Sequence, residues 1–148
     1  MALWGMVTAL LAALLLVVAV KAGRAQKQDA AAALASACDL GAGPCTVSLP
    51  TGAVEVDLSP RPIPLASPLE VTVQVRGGDP PAGAMTITSV TMDMGTTRFA
   101  LDRTAPGTLR GTDSLPICIT GRMTWLAELT LAGQPMDPVV LRFDTSTP

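Results

Sequence analysis

The side chains in this sequence best suited to chemistry carry sulfur. Cys38, Cys45, Cys118, Met92, Met94 and Met123, with Met85 more distant, supply thiolate and thioether donors, and such soft ligands select Cu(I) over zinc or calcium. Met92 and Met94 stand two apart in residues 85–94, a run expected to be a strand. That spacing places both side chains on one face, about 7 Å apart from Cα to Cα. The candidate metal set is therefore Met92, Met94, Cys118 and Met123, with Cu(I) as the candidate cofactor and no cofactor as the alternative. Packing is the stronger reading: Val90, Met92 and Met94 also form an inward-facing apolar series, and methionine readily fills gaps in a core.

The three cysteines permit one disulfide and leave one thiol over. Cys38 and Cys45 are separated by Asp39-Leu-Gly-Ala-Gly-Pro44, whose glycines and proline allow the turn that a bridge needs. Either cysteine could instead reach Cys118 and staple the N-terminal segment to the rest of the domain. A bridge involving Cys38 or Cys45 suits an exported domain of this size.

Other chemistries are excluded or unsupported. The chain has no His and no Tyr, which rules out imidazole catalysis and His-based zinc or copper sites. Asp93, Asp102, Asp113 and Glu128 fall in no recognised constellation. Thr96, Thr97 and Ser114 have no lysine base within the domain. No catalytic residue and no small-molecule substrate is expected, so the chain reads as a non-enzyme. Residues 28–148 hold seven arginines against twelve carboxylates, a net charge of −5, which argues against nucleic acid as a partner.

The elements that would position these groups follow from hydrophobic pattern. Residues 2–20 are uncharged and almost wholly apolar, close to the roughly 20 residues of a membrane-spanning helix, and they have no polar face. Residues 1–22 are therefore expected to be a transmembrane or signal-anchor helix, residues 23–44 a stalk and Cys loop, and residues 45–148 one domain. Lys21, Arg24 and Lys27 follow the apolar run and on their own favour a cytoplasmic domain. The cysteines and the short, turn-rich strands favour export. The expected placement is the inner membrane, single-pass, with the domain on the periplasmic side.

Within the domain, Val54, Val56 and Leu58 alternate with Glu55 and Asp57, and Val71, Val73 and Val75 alternate with Thr72, Gln74 and Arg76. Each run reads as a strand with one dry face. Pro60, Pro62, Pro64 and Pro68 impose an extended crossover between them. Further strands are expected over residues 46–49, 85–94, 97–101, 107–111, 115–120, 123–131 and 139–143. In residues 123–131, Met123, Trp125, Ala127, Leu129 and Leu131 share one face, with Trp125 as a core anchor. This number of short strands predicts an all-β, antiparallel, immunoglobulin-like β-sandwich.

The segments Val90-Thr-Met92-Asp-Met94-Gly95, Gly107-Thr-Leu-Arg-Gly111 and Gly121-Arg-Met123-Thr-Trp125-Leu-Ala-Glu-Leu129 occur in an order that resembles the YtkA/FixH-like group of small, membrane-anchored immunoglobulin-like domains. The resemblance covers roughly residues 68–143, with Leu109 standing where that group has an aromatic. It implies association with respiratory oxidase assembly or copper handling. The expected function is an exported, membrane-anchored accessory or assembly factor for a membrane respiratory complex that handles Cu(I). The alternative is a metal-free structural accessory subunit or protein-binding module.

Overall fold

The computed structural model describes residues 37–117, 121–134 and 137–146. Nine strands form: β1 (Cys38–Asp39), β2 (Cys45–Leu49), β3 (Gly52–Ser59), β4 (Pro68–Arg76), β5 (Ala82–Ser89), β6 (Thr96–Ala105), β7 (Thr108–Ser114), β8 (Arg122–Leu131) and β9 (Val139–Ser146). Alternation determines their faces. Val54, Val56 and Leu58 of β3, Leu69, Val71, Val73 and Val75 of β4, and Met123, Trp125, Ala127, Leu129 and Leu131 of β8 all point into one core. Their polar neighbours face outward, because successive side chains of a strand leave opposite faces.

The strands belong to one hydrogen-bonded sheet in the order β1-β9-β8-β5-β6-β7-β4-β3-β2. This corrects the expected two-sheet immunoglobulin-like sandwich: the fold is all-β, but a single sheet curls around the core as a near-closed barrel. The strand responsible is β6. Residues 96–102 pair with β5, whereas Asp102, Arg103 and Ala105 pair with β7 across a register shift. A bulge bends its strand and increases the local twist, so the sheet turns a corner there instead of ending. Beside that corner, a Cβ on Gly111 would meet the Ala100 carbonyl oxygen at 2.1 Å; glycine allows the two backbones to part at that close approach.

The two outermost strands, β1 and β2, are joined covalently. Cys38 and Cys45 form a disulfide with a Cα–Cα distance of 5.9 Å, linking the β9 side of the barrel to the β3 side. The Cys loop, set apart from the domain in the sequence reading, thus contributes the first strand, which runs parallel to β9. Arg61 reinforces the seam from the β3–β4 connection. Its Nε and Nη2 donate to the Leu40 carbonyl at 3.1 and 3.0 Å, and Nη2 also pairs with Asp57 at 2.6 Å. Charge-assisted, partly shielded contacts of this kind outweigh the ordinary surface ion pair.

Two expected strands differ in their described parts. β5 ends at Ser89, not at residue 94, and residues 115–117 are an irregular connection. The anchor expected over residues 1–22 lies outside the described residues, as does residues 23–36 of the stalk. Among the described residues no helix is long and apolar enough to cross a membrane. The single-pass inner-membrane placement, with the domain on the periplasmic side, finds no support among the described residues.

Replacing both bridge cysteines (Cys38→Ser with Cys45→Ser) is expected to lower the unfolding free energy by about 2.5 kcal/mol, the chain-entropy value for so short a loop. Urea unfolding of the oxidised wild type and the double variant measures it. Gly111→Ala is expected to cost about 1–3 kcal/mol by overpacking. Gly43→Ala, where a Cβ meets nothing within 4 Å, should stay within about 0.5 kcal/mol. Equal effects at the two glycines would contradict the corner assignment.

Candidate functional site

The structure places the proposed methionine ligands in different surroundings. Met123 projects into the core at 1% exposure, Met94 is half-buried against that core, and Met92 stands at the surface in the β5–β6 connection, 44% exposed. Because β5 stops at Ser89, the period-two rule that put Met92 and Met94 on a common strand face does not apply to them. Met85 is fully buried on β5. Cys118 lies outside the described residues. Among the described residues no cluster of three or more His, Cys, Asp or Glu could hold a metal ion. Met123 and Met85 serve the core and Met92 the surface, and nothing among the described residues supports the expected Cu(I)-handling function. The disulfide alternatives resolve to Cys38–Cys45.

Topology creates a different site. Antiparallel connectivity brings the β3–β4, β5–β6 and β7–β8 connections to the same end of the barrel, together with the last residues of β9. Hydrogen bonds stitch these segments together. Ala66 N–H donates to the Leu115 carbonyl at 2.9 Å, and Val90 N–H to the Thr124 carbonyl at 2.9 Å. Thr124 N–H donates to Thr91 Oγ1 at 3.1 Å, and its hydroxyl to Asp144 Oδ1 at 2.7 Å. Among the described residues the exposed large apolar side chains are Val90 (48%), Met92 and Ile117 (63%), and all three belong to these connections.

Beside them runs an open groove of about 580 Å³, lined by Pro62, Ile63, Pro64, Leu65, Ile117 and the Asp144–Ser146 end of β9. It lies along the seam of the barrel, between the β3–β4 crossover and the edge of β9. One wall is apolar side chain and the other is strand. Thr145 of this lining is tied to the core through Trp125, whose ring stacks on Phe143 with centroids 6.2 Å apart. Its indole Nε1–H donates to the buried Thr145 hydroxyl at 2.9 Å, so burying the indole leaves no donor unsatisfied.

The opposite end has another character. There Arg103 pairs with Asp79 at 2.6 Å, and the same carboxylate accepts the Gly107 N–H at 2.9 Å. This hollow, lined by Asp79, Arg103, Thr104, Ala105 and Pro106, is already satisfied by its own residues.

No family model, curated protein or solved structure matches this chain. The resemblance to the YtkA/FixH-like group is thereby overturned, and the structure agrees, since its Met-x-Met segment is a connection here and the sheet is continuous. The expected membrane respiratory complex loses its basis with it.

Sequence reasoning missed the groove. It treated residues 60–68 only as a crossover and residues 115–120 as a strand. A usable signal was present in Pro62-Ile-Pro-Leu65 and Pro116-Ile117: prolines flanking apolar residues hold them extended, without a ladder to bury them.

Thr145→Val keeps the shape of the side chain but removes the acceptor for the Trp125 indole. A destabilisation of about 1–3 kcal/mol is expected from the orphaned donor, measured by chemical denaturation alongside the near-ultraviolet signal of Trp125.

Proposed function

We propose that this domain is a metal-free, non-enzymatic protein-binding module, and that it docks a partner protein through the apolar end of its barrel. The observation that carries this reading is the segregation of exposed apolar surface. Val90, Met92, Ile117 and the proline-rich wall of the groove all lie at one end, while the opposite end is closed by its own ion pair. Scattered surface apolar residues need no explanation, but a contiguous group beside a concavity marks an interaction site. The scaffold suits that role: a closed, cross-linked barrel holds its connections in place before a partner arrives, and preorganisation reduces the ordering cost of association.

The chemistry available supports binding over catalysis. The described carboxylates are exposed or partly exposed, and several are engaged in surface ion pairs with arginines. Among the described residues, the side-chain hydrogen bonds of the carboxylates go to arginines, threonines and backbone N–H groups. Shape and apolar contact are what the site offers.

Photo-crosslinking amino acids placed at Val90, Ile117 and, at the opposite end, Gln134 test the proposal in the producing cell. Discrete, saturable adducts to one identified protein are expected at Val90 and Ile117 and not at Gln134. The adduct at Val90 should fall at least tenfold when Ile117→Asp is added. Adducts of equal yield at both ends, or none at the apolar end, would overturn the assignment.

A further inference from the structure

We infer that the groove accepts an extended segment of the partner as an additional strand on the free edge of β9, with apolar side chains against the Ile63–Leu65 and Ile117 wall and a basic side chain beside Asp144. This rests on the protein-binding reading above and specifies the form and charge of what binds.

The backbone supplies the first argument. Along a strand, alternate residues direct their N–H and C=O groups to opposite sides. Leu40 N–H donates to the Arg142 carbonyl at 2.8 Å, which fixes the backbone groups of Arg142 toward the β1 side. In the unbroken β8–β9 register, Asp144 and Ser146 face that same side. Thr124, the β8 residue opposite Asp144, agrees with this assignment, because its own N–H and C=O are turned away to Thr91 and Val90. β1 covers this edge only through Cys38 and Asp39, opposite Leu141 and Arg142. Gly41 still lies beside Asp144, where a Cβ would be 3.9 Å from the Asp144 nitrogen, and the turn closed by Ala42 N–H on the Asp39 carbonyl then carries the chain off the edge. Past Gly41, among the described residues, no strand pairs with the edge of β9 from Asp144 to Ser146, which forms one wall of the groove. An edge of this kind is a template for pairing, and strand addition uses it for affinity while pockets select alternate side chains.

The second argument is the opposite wall. Pro62, Ile63, Pro64, Leu65 and Ile117 face the edge across the groove. An added strand would meet this surface with every second side chain, at the strand period of about 3.3 Å per residue.

Charge decides between occupants. Among the described residues, Asp144 is the one titratable group lining the groove; it is exposed, and the Thr124 hydroxyl is its hydrogen-bond donor. A second copy pairing its β9 with this β9 about a two-fold axis would bring two Asp144 carboxylates, opposed or diagonal, onto one short ladder, where like charges repel. A partner strand carrying lysine or arginine turns the same carboxylate into an attraction, in keeping with the net negative charge of residues 28–148.

The full chain, labelled with nitrogen-15, is titrated with a seven-residue peptide alternating valine with lysine and threonine. Saturable binding is expected, with amide exchange at Asp144 and Ser146 slowed at least tenfold. The same peptide N-methylated at alternate residues, or with glutamate in place of lysine, should bind at least tenfold more weakly. Ile117→Asp should weaken binding by a similar factor while the Trp125 indole resonance stays in place. Equal binding of the N-methylated peptide with unprotected amides would overturn strand addition and leave the docking proposal intact. Protection of Asp144 and Ser146 that grows with protein concentration, without peptide, would make a second copy the occupant and overturn the assignment. Absence of any peptide binding while the crosslinks at Ile117 persist would sink this inference alone; loss of those crosslinks would sink the protein-binding reading itself.

Discussion

A curled sheet has two edges, and the structure depends on how they are brought together. Here the terminal strands of the sheet order, β1 and β2, are short, and the hydrogen bonds between neighbouring strands do not close the circle. The Cys38–Cys45 bridge closes it covalently, and the Arg61 guanidinium, shared between Asp57 and the Leu40 carbonyl, closes it electrostatically. Both fasteners sit at one level of the seam. Below that level the edges diverge, and the opening between them is the groove. Stability and binding surface are thus two parts of one junction.

The same junction accounts for the contrast between the barrel ends. Strands joined by tight turns complete their own hydrogen bonding, as at Asp79 and Gly107. The longer connections at the other end carry proline, whose missing N–H prevents it from extending a ladder. Ile63 lines the groove while largely buried against the core, whereas Ile117 remains at the surface. Apolar residues held outside a ladder become surface, and their clustering follows from antiparallel connectivity, not from any local sequence preference.

Much of the strand content was legible because burial of one face writes itself as alternation. The β3 and β4 valines and the Met123–Leu131 series of β8 carried that signal clearly, and Trp125 is the core anchor its position implied. Two places misled for the same reason. Val90, Met92 and Met94 alternate as a strand would, yet Ser89 is the last residue of β5: pairing with β6 ends at Thr88, and past the Val90–Thr124 bond the Thr91 side chain, not its backbone, takes the next contact with β8. Leu115-Pro-Ile117 has strand-like composition, but its neighbours are the crossover and the groove. Alternation reports that a residue is half-buried without naming the element that buries it.

By itself the sequence determined that the domain is all-β, where most strands lie, which faces are dry, and that imidazole chemistry is absent. These properties are local, set by side-chain type and by period two. The tertiary structure alone decided that the sheet is single, since one bulge in β6 converts what would be two layers into a continuous curl. It also decided which cysteines pair, that Met123 is core and Met92 surface, and that the β9 edge faces a wall of prolines and isoleucines. Those outcomes depend on contacts between residues far apart in the chain, and such contacts leave no periodic mark in the residues that make them.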